Sequence, residues 1–169
     1  MAGNKYISNN AGILTEVASI QSSAGAGDAG KIVSLDASGR LDQTMMPTGI
    51  AADTYSVLAS ENLAAGDLVN IYSNAGTANC RKADATVSGK EAMGFVLSAV
   101  TSGQNATVYF EGNNTAVTGK TPGKQWLSTT AGTFSTTAPS ASGNVVQVVG
   151  FCASATELNF QSRNPIVLA

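Results

Sequence analysis

Between residues 53 and 169 the sequence is a succession of short runs rich in β-branched and aromatic residues, with turn signals between them. Many short runs at this spacing are typical of a β-sandwich or a small β-barrel. The sequence therefore predicts an all-β fold. The predicted strands are residues 55–60, 68–73, 77–82, 92–99, 106–111, 125–129, 133–136, 145–153 and 158–161.

Two parts of this region resemble each other in the order of their turns and strands. Gly66 and Gly123 open matching segments 57 residues apart, and Gly94-Phe95 and Gly150-Phe151 match at a spacing of 56 residues. A chance match is the alternative, because alanine, glycine and serine are common throughout the chain. We predict a single barrel made of two pseudo-repeated halves of about four strands each.

The first 52 residues have a different composition, with one tyrosine and neither tryptophan nor phenylalanine. Their apolar residues are too sparse to build a core of their own. We therefore predict an extended N-terminal arm over 1–52, followed by the β-barrel domain over 53–169.

Local patterns within the arm predict its elements. The spacing of apolar residues over 12–21 fits a short amphipathic helix, with a strand as the alternative. Residues 31–35 are predicted to form a strand, 36–39 a turn and 40–42 the strand's continuation, and Pro47 is expected to end the segment.

The charge of the chain limits its partners. Charged residues make up 12% of the chain and the net charge is −2, whereas about a quarter of an ordinary soluble protein is charged. Nucleic acid is an unexpected partner because there is no basic cluster. No apolar run approaches the ~18 residues of a membrane span, and the first residues do not resemble a secretory signal. We expect assembly in the cytoplasm and close packing against other proteins.

The absence of histidine argues against an enzyme, because it removes the usual catalytic bases and the commonest transition-metal ligand. We predict no catalytic residue, no metal and no cofactor. Gly25–Gly30 fits a dinucleotide-binding pattern, but the required preceding strand and following helix are not predicted. Gly119-Lys120-Thr121 lacks the first glycine of a phosphate-binding loop, so it is predicted to be a turn.

Two further sets of residues leave alternatives open. Cys80 and Cys152 are expected to be free, semi-buried thiols, with a disulfide as the alternative. Four large aromatic residues fit either core packing or a platform on which sugars stack. They are Tyr55, Tyr72, Tyr109 and Trp126.

The segment from Gly30 to Pro47, GKIVSLDASGRLDQTMMP, resembles a linking motif of bacteriophage fibre and head-decoration proteins. In those proteins the motif joins an attachment region to a β-rich domain. Residues 63–71, 81–85 and 94–96 are similar to small capsid decoration domains. The chain has no long repetitive shaft, which favours a compact decoration protein or a short head fibre.

The resemblance implies a homotrimeric virion protein on the outer capsid surface, with the major capsid protein as its partner. The alternative is a tail-fibre or receptor-binding tip that recognises host glycans. The predicted capsid-attachment and trimer-interface residues are the apolar side chains of the arm. They are Ile7, Ile13, Leu14, Val17, Ile20, Ile32, Val33, Leu35, Leu41, Met45 and Met46.

Overall fold

A computed structural model describes residues 4–46 and 52–169. It divides into two compact units, residues 1–51 and 52–169. Pro47, predicted to end the linking segment, lies outside the described residues. No helix in the described ranges is both long and apolar enough to cross a membrane.

The strands, numbered in chain order, confirm the predicted all-β class. They are β1 Lys5–Asn10, β2 Ile13–Ala18, β3 Thr54–Ala59, β4 Leu68–Asn74, β5 Thr77–Lys82, β6 Gly94–Val96, β7 Asn105–Tyr109, β8 Gly112–Asn114, β9 Gly123–Leu127, β10 Phe134–Ser135, β11 Val145–Val146, β12 Val148–Ser154, β13 Glu157–Phe160 and β14 Ile166–Val167. Two short 3-10 helices cover Ala26–Asp28 and Gln43–Met45.

The second unit contains a closed five-stranded barrel in the order β3-β5-β4-β6-β7. It closes where β3 pairs parallel to β5 and antiparallel to β7. Its interior is filled by small and medium apolar side chains, as a barrel of so few strands requires. The buried residues of this cluster are Val57, Ala59, Leu63, Val69, Cys80, Val96, Ala106 and Val108.

A five-stranded antiparallel sheet, β10-β9-β12-β13-β8, follows the barrel in the chain. Its strands repeat the barrel's strand order: β5-β4-β6-β7-β3 becomes β10-β9-β12-β13-β8. The second set stays open, because β8 and β10 have three and two residues and do not pair with each other. The predicted small β-barrel is confirmed, and its strand order recurs in the second half. The two halves do not share a single barrel as predicted, because the closed barrel contains only the first half.

The inner face of the sheet packs on the outside of the barrel. Successive residues of β6 show this: Val96 points into the barrel, whereas Phe95 joins the shared core. The Phe95 ring stacks on Tyr109 at 5.4 Å and meets the edge of Phe160 at 5.6 Å. The large side chains Leu127 and Phe134 also lie in this core, so the second half buries its apolar face without closing.

The predicted strand over 145–153 is interrupted at Gln147, giving β11 and β12. Val145 and Val146 pair with β14, a strand that the sequence analysis did not predict. β12 has β9 and β13 on its two sides, as expected for a central strand. Asn113-Asn114 is a pair of residues typical of turns, but both residues belong to β8, where the buried Asn114 side-chain amide donates a 2.9 Å hydrogen bond to the carbonyl of Gly66.

Candidate functional site

The first unit has no buried residue among its described positions 4–46. Many of its apolar side chains face solvent, including Ile13 and Leu14, which are each 70% exposed. An isolated protein rarely leaves so many large apolar groups uncovered in one short segment. The other large exposed ones are Ile7, Ile32, Val33, Leu35, Leu41 and Met46.

β1 and β2 form an antiparallel hairpin, which corrects the predicted helix over 12–21. The turn at Ala11-Gly12 has positive φ at both residues, 52° and 91°, as the tight turns of two-residue hairpins require. The Asn9 side chain accepts a 2.9 Å hydrogen bond from the Gly12 N–H. This reversal of the chain excludes a helix.

Apolar side chains lie on both faces of the hairpin. The register pairs Ile7 with Glu16 and Asn9 with Leu14, which places Ile7 and Leu14 on one face. Tyr6 pairs with Val17 on the opposite face, which also carries Ile13. A two-stranded ribbon of this kind is marginally stable by itself in water, so both faces require a covering surface.

After the hairpin, Ile20 forms a single parallel bridge to Val33. Its N–H donates to the Ile32 carbonyl at 3.0 Å, and its carbonyl accepts from the Ser34 N–H at 2.9 Å. The predicted strand over 31–35, with its continuation at 40–42, is therefore wrong. Residues 31–35 take part in this one isolated β-bridge and do not belong to a sheet.

The linking motif is organised by aspartate-capped turns. Asp36 Oδ1 accepts from the N–H groups of Ser38 and Arg40 at 2.8 and 2.9 Å. The Asp36 N–H also donates to the Arg40 carbonyl at 2.8 Å, so Leu35 and Leu41 lie directly before and directly after the closed turn. The predicted turn at 36–39 is confirmed. Each leucine is 51% exposed.

Two more aspartates fix the neighbouring turns. Hydrogen bonds from the Thr44 hydroxyl and N–H lower the pKa of Asp42, which caps the helix Gln43–Met45. The pKa of Asp28 is lowered chiefly by the hydrogen bond from Lys31, and then by the Ala24 N–H. Gly25–Gly30 surrounds a short 3-10 turn, and among the described residues no strand leads directly into it and no α-helix follows it, which does not fit a dinucleotide site.

The structure distributes the predicted attachment and interface residues over the whole first unit. Ile7, Ile13, Leu14 and Val17 lie on the hairpin, and Ile20, Ile32 and Val33 lie at the bridge. Leu35, Leu41, Met45 and Met46 lie in the turns of the linking motif. They do not form one contiguous core, and their role in attachment stays a prediction.

Of the two alternatives for the four large aromatic residues, the sugar-stacking platform does not form, because its members have different environments. Tyr109 stacks on Phe95, the Arg81 guanidinium lies 4.2 Å from the centre of the Tyr72 ring, and Tyr55 is exposed on β3. Trp126 lies on the outer face of the sheet, with Lys124 Nζ 5.6 Å from its ring centre.

The outer face of the sheet carries a groove that the sequence analysis missed. Its volume is about 350 Å³ and it lies against the half-exposed ring of Phe151. The repeated Gly-Phe pair makes Phe151 the sequence equivalent of Phe95. The two side chains nevertheless have different environments, because Phe95 is buried and Phe151 is half-exposed. The lining residues are Lys124, Val148, Gly150, Phe151, Gln161 and Arg163.

Both cysteines are free and buried, in different clusters. Cys80 lies inside the barrel and Cys152 in the core between barrel and sheet. Burial raises the pKa of both thiols, which makes them unreactive. Within the described ranges, no three side chains of the metal-binding types come together.

Comparisons with known proteins found no matching family model and no matching curated protein. Among solved structures, the chain is similar to the head fiber gp8.5 N base of bacteriophage phi29. The identity is 16%, the match covers 70% of this chain and 95% of that chain, and the TM-score is 0.42.

Proposed function

We propose that this chain is a structural protein of a bacteriophage particle, a homotrimer that binds the outer capsid surface and reinforces it. The observation that carries the proposal is the first unit, in which none of the residues at 4–46 is buried while eight large apolar side chains are exposed. Such a segment gains stability only against another protein surface. The linking motif at residues 30–47 supports a phage particle as the setting.

The hairpin fits insertion between two surfaces. Ile7 and Leu14 need a partner on one face, and Ile13 and Val17 need a partner on the other. Docking on a single flat surface leaves one of these faces in water. A cleft between neighbouring capsid subunits covers both, and each Å² of apolar area removed from water contributes about 25 cal/mol. We assign the hairpin and Ile20 to capsid attachment.

The linking motif fits assembly around a threefold axis. Leu35 and Leu41 flank one turn, and Ile32, Val33 and Met46 are also exposed. Three copies around an axis can bury these side chains against each other, as closed cyclic symmetry allows. Trimerisation also strengthens attachment, because each bound hairpin raises the effective concentration of the next.

The charges of the hairpin fit an apolar contact. Its ion pair, Lys5 with Glu16, joins opposite charges within the hairpin itself. By the register, both side chains lie on the face that carries Ile7 and Leu14, so docking of that face covers a neutral pair and no net charge. Attachment is therefore expected to depend weakly on salt.

Imaging of gold-labelled protein on intact particles tests the location. The proposal predicts label spread over the head in many copies. Label confined to the tail tip contradicts it and favours the receptor-binding alternative. A matched control uses particles grown without the gene, which should bind added wild-type protein at the same positions.

A further inference from the structure

We propose that the groove on the outer face of the sheet binds an acidic saccharide, a sugar chain that carries carboxylate groups. The site belongs to the second unit, whereas the apolar segment to which we assign attachment belongs to the first. It would give the particle a second, adhesive function.

The first observation is an aromatic surface beside an open groove. Phe151 is 48% exposed, and Gly150 precedes it as part of the groove wall. The face of an aromatic ring carries partial negative charge and attracts the partly positive C–H groups of a pyranose ring. The volume of about 350 Å³ lies at the lower end of the usual range of ligand sites, roughly 300–1,000 Å³. It suits one or two sugar units.

The second observation is the charge of the groove. Lys124 and Arg163 both line it, and none of its lining residues is acidic. Neither of these cations belongs to an ion pair among the described residues. Two cations in one groove of a chain with net charge −2 form a local positive site. The guanidinium of Arg163 can hold a carboxylate through two parallel hydrogen bonds.

The third observation is that neutral polar side chains near the groove can hydrogen-bond to the hydroxyl groups of a sugar. Gln161 lines the groove. The Arg163 guanidinium lies 3.5 Å from the side-chain oxygen of Gln161, which is at the limit of a hydrogen bond. Asn159 is the register partner of Phe151 on the same face, and its side-chain carbonyl oxygen has no hydrogen-bond partner. That oxygen is buried, so a hydroxyl donor reaches it only when a neighbouring side chain moves.

The test uses the full-length protein and trigalacturonate as the acidic probe, with maltotriose as the neutral trisaccharide of the same length. Trp126 is the one tryptophan of the chain and lies on the same face as Lys124, so its fluorescence reports binding. Calorimetry provides an independent Kd. We expect trigalacturonate to bind with a Kd of about 1 mM or below and maltotriose to show no binding at about 10 mM.

Substitutions separate the contributions of ring and charge. We expect Phe151→Ser to abolish binding, and Arg163→Gln and Lys124→Gln to raise the Kd by about tenfold each. Arg40→Gln, an exposed cation of the first unit, is the matched control and should leave the Kd unchanged. Circular dichroism of each variant verifies the fold. We expect no change, because all of the substituted side chains are at the surface.

Four outcomes overturn the proposal. Equal binding of maltotriose removes the requirement for acid. Inorganic phosphate that binds as tightly as trigalacturonate shows a plain anion site rather than a saccharide site. Wild-type protein that does not bind trigalacturonate at about 10 mM, or a folded Phe151→Ser variant that binds normally, shows that the groove is not the site.

Discussion

The side-chain amide of Gln147 hydrogen-bonds to both backbone polar groups of Ala92, which lies 55 residues earlier in the chain. Its carbonyl oxygen accepts from the Ala92 N–H at 2.8 Å, and its NH₂ donates to the Ala92 carbonyl at 2.9 Å. Gln147 is 2% exposed. The Gln147 side chain thus makes the two hydrogen bonds that a neighbouring strand would make to Ala92, and it joins the two pseudo-repeated halves.

Replacing this amide by an apolar group of similar shape should be costly. We expect Gln147→Met to lower the free energy of unfolding by about 3 kcal/mol, because the Ala92 N–H loses its buried partner and the Ala92 carbonyl keeps only the 3.0 Å hydrogen bond from the Ser162 hydroxyl. Urea denaturation measures the loss. Gln161→Met, at an exposed position, is the control and should change stability by less than about 0.5 kcal/mol. Equal effects of the two substitutions would show that the Ala92 contact is unimportant.

The two halves also share a close backbone approach at equivalent glycines, Gly94 in β6 and Gly150 in β12. A Cβ atom at Gly94 would lie 2.6 Å from the Tyr109 carbonyl oxygen, and one at Gly150 would lie 2.0 Å from that of Asn159. Each glycine allows the following strand to approach closely. The repeated Gly-Phe pair thus reflects the same packing requirement in both halves.

Gly150→Ala should therefore be severely destabilising. The added methyl group clashes with backbone, and φ at this position is 138°, so we expect a loss of more than about 3 kcal/mol. Gly143→Ala is the matched variant, since φ is 81° there but nothing lies within 4 Å of the new Cβ. It should cost only about 1–2 kcal/mol. Thermal unfolding that ranks the two variants the other way round would contradict the packing argument.

The thiols provide a test of the core. Burial raises the pKa of Cys80 and Cys152, so the folded state disfavours the reactive thiolate, and stability should fall as pH rises above the ordinary thiol value of about 8.5. We expect no reaction with a thiol reagent at neutral pH in the native protein, and two thiols per chain after denaturation. Fewer than two after denaturation would indicate a disulfide.

Sequence patterns predicted the second unit well because its strands alternate clearly and end at turns. Residues 77–82 were predicted to be a strand, and β5 has these bounds. Closure of the first half alone was not predictable, because it depends on which side chains fill the interior. Val145–Val149 reads as one apolar run, and only the contact of Gln147 with Ala92 shows why it breaks.

The hairpin in the first unit had a recognisable signal. Asn10-Ala11-Gly12 has the same sequence as Asn74-Ala75-Gly76, the turn between β4 and β5, and both alanines have positive φ, 52° and 50°. The apolar spacing of residues 13–20 also fits a helix, and that pattern carried the prediction. The groove at Phe151 had no such signal, since its lining residues come together only when β9, β12 and β13 pair.

The oligomeric state tests the role assigned to the linking motif. Light scattering should give three times the chain mass of 17.0 kDa for the wild-type protein. Leu35→Ser/Leu41→Ser removes two exposed apolar groups from the proposed axis and should shift the mass toward a single chain. Val87→Ser, an exposed apolar position of the second unit, should leave the trimer intact. A wild-type mass of one chain would contradict the trimer.

Binding to capsids assembled without this protein is the decisive test of attachment through the hairpin. We would measure co-sedimentation of the full-length wild type, of Ile7→Ser/Leu14→Ser, and of Tyr55→Ser as the exposed control on β3. We expect the wild type and the control to bind at low and high salt, and the hairpin variant to remain a trimer and lose binding by at least about tenfold. Undiminished binding of the hairpin variant, or release of the wild type by salt alone, would contradict attachment through the apolar hairpin.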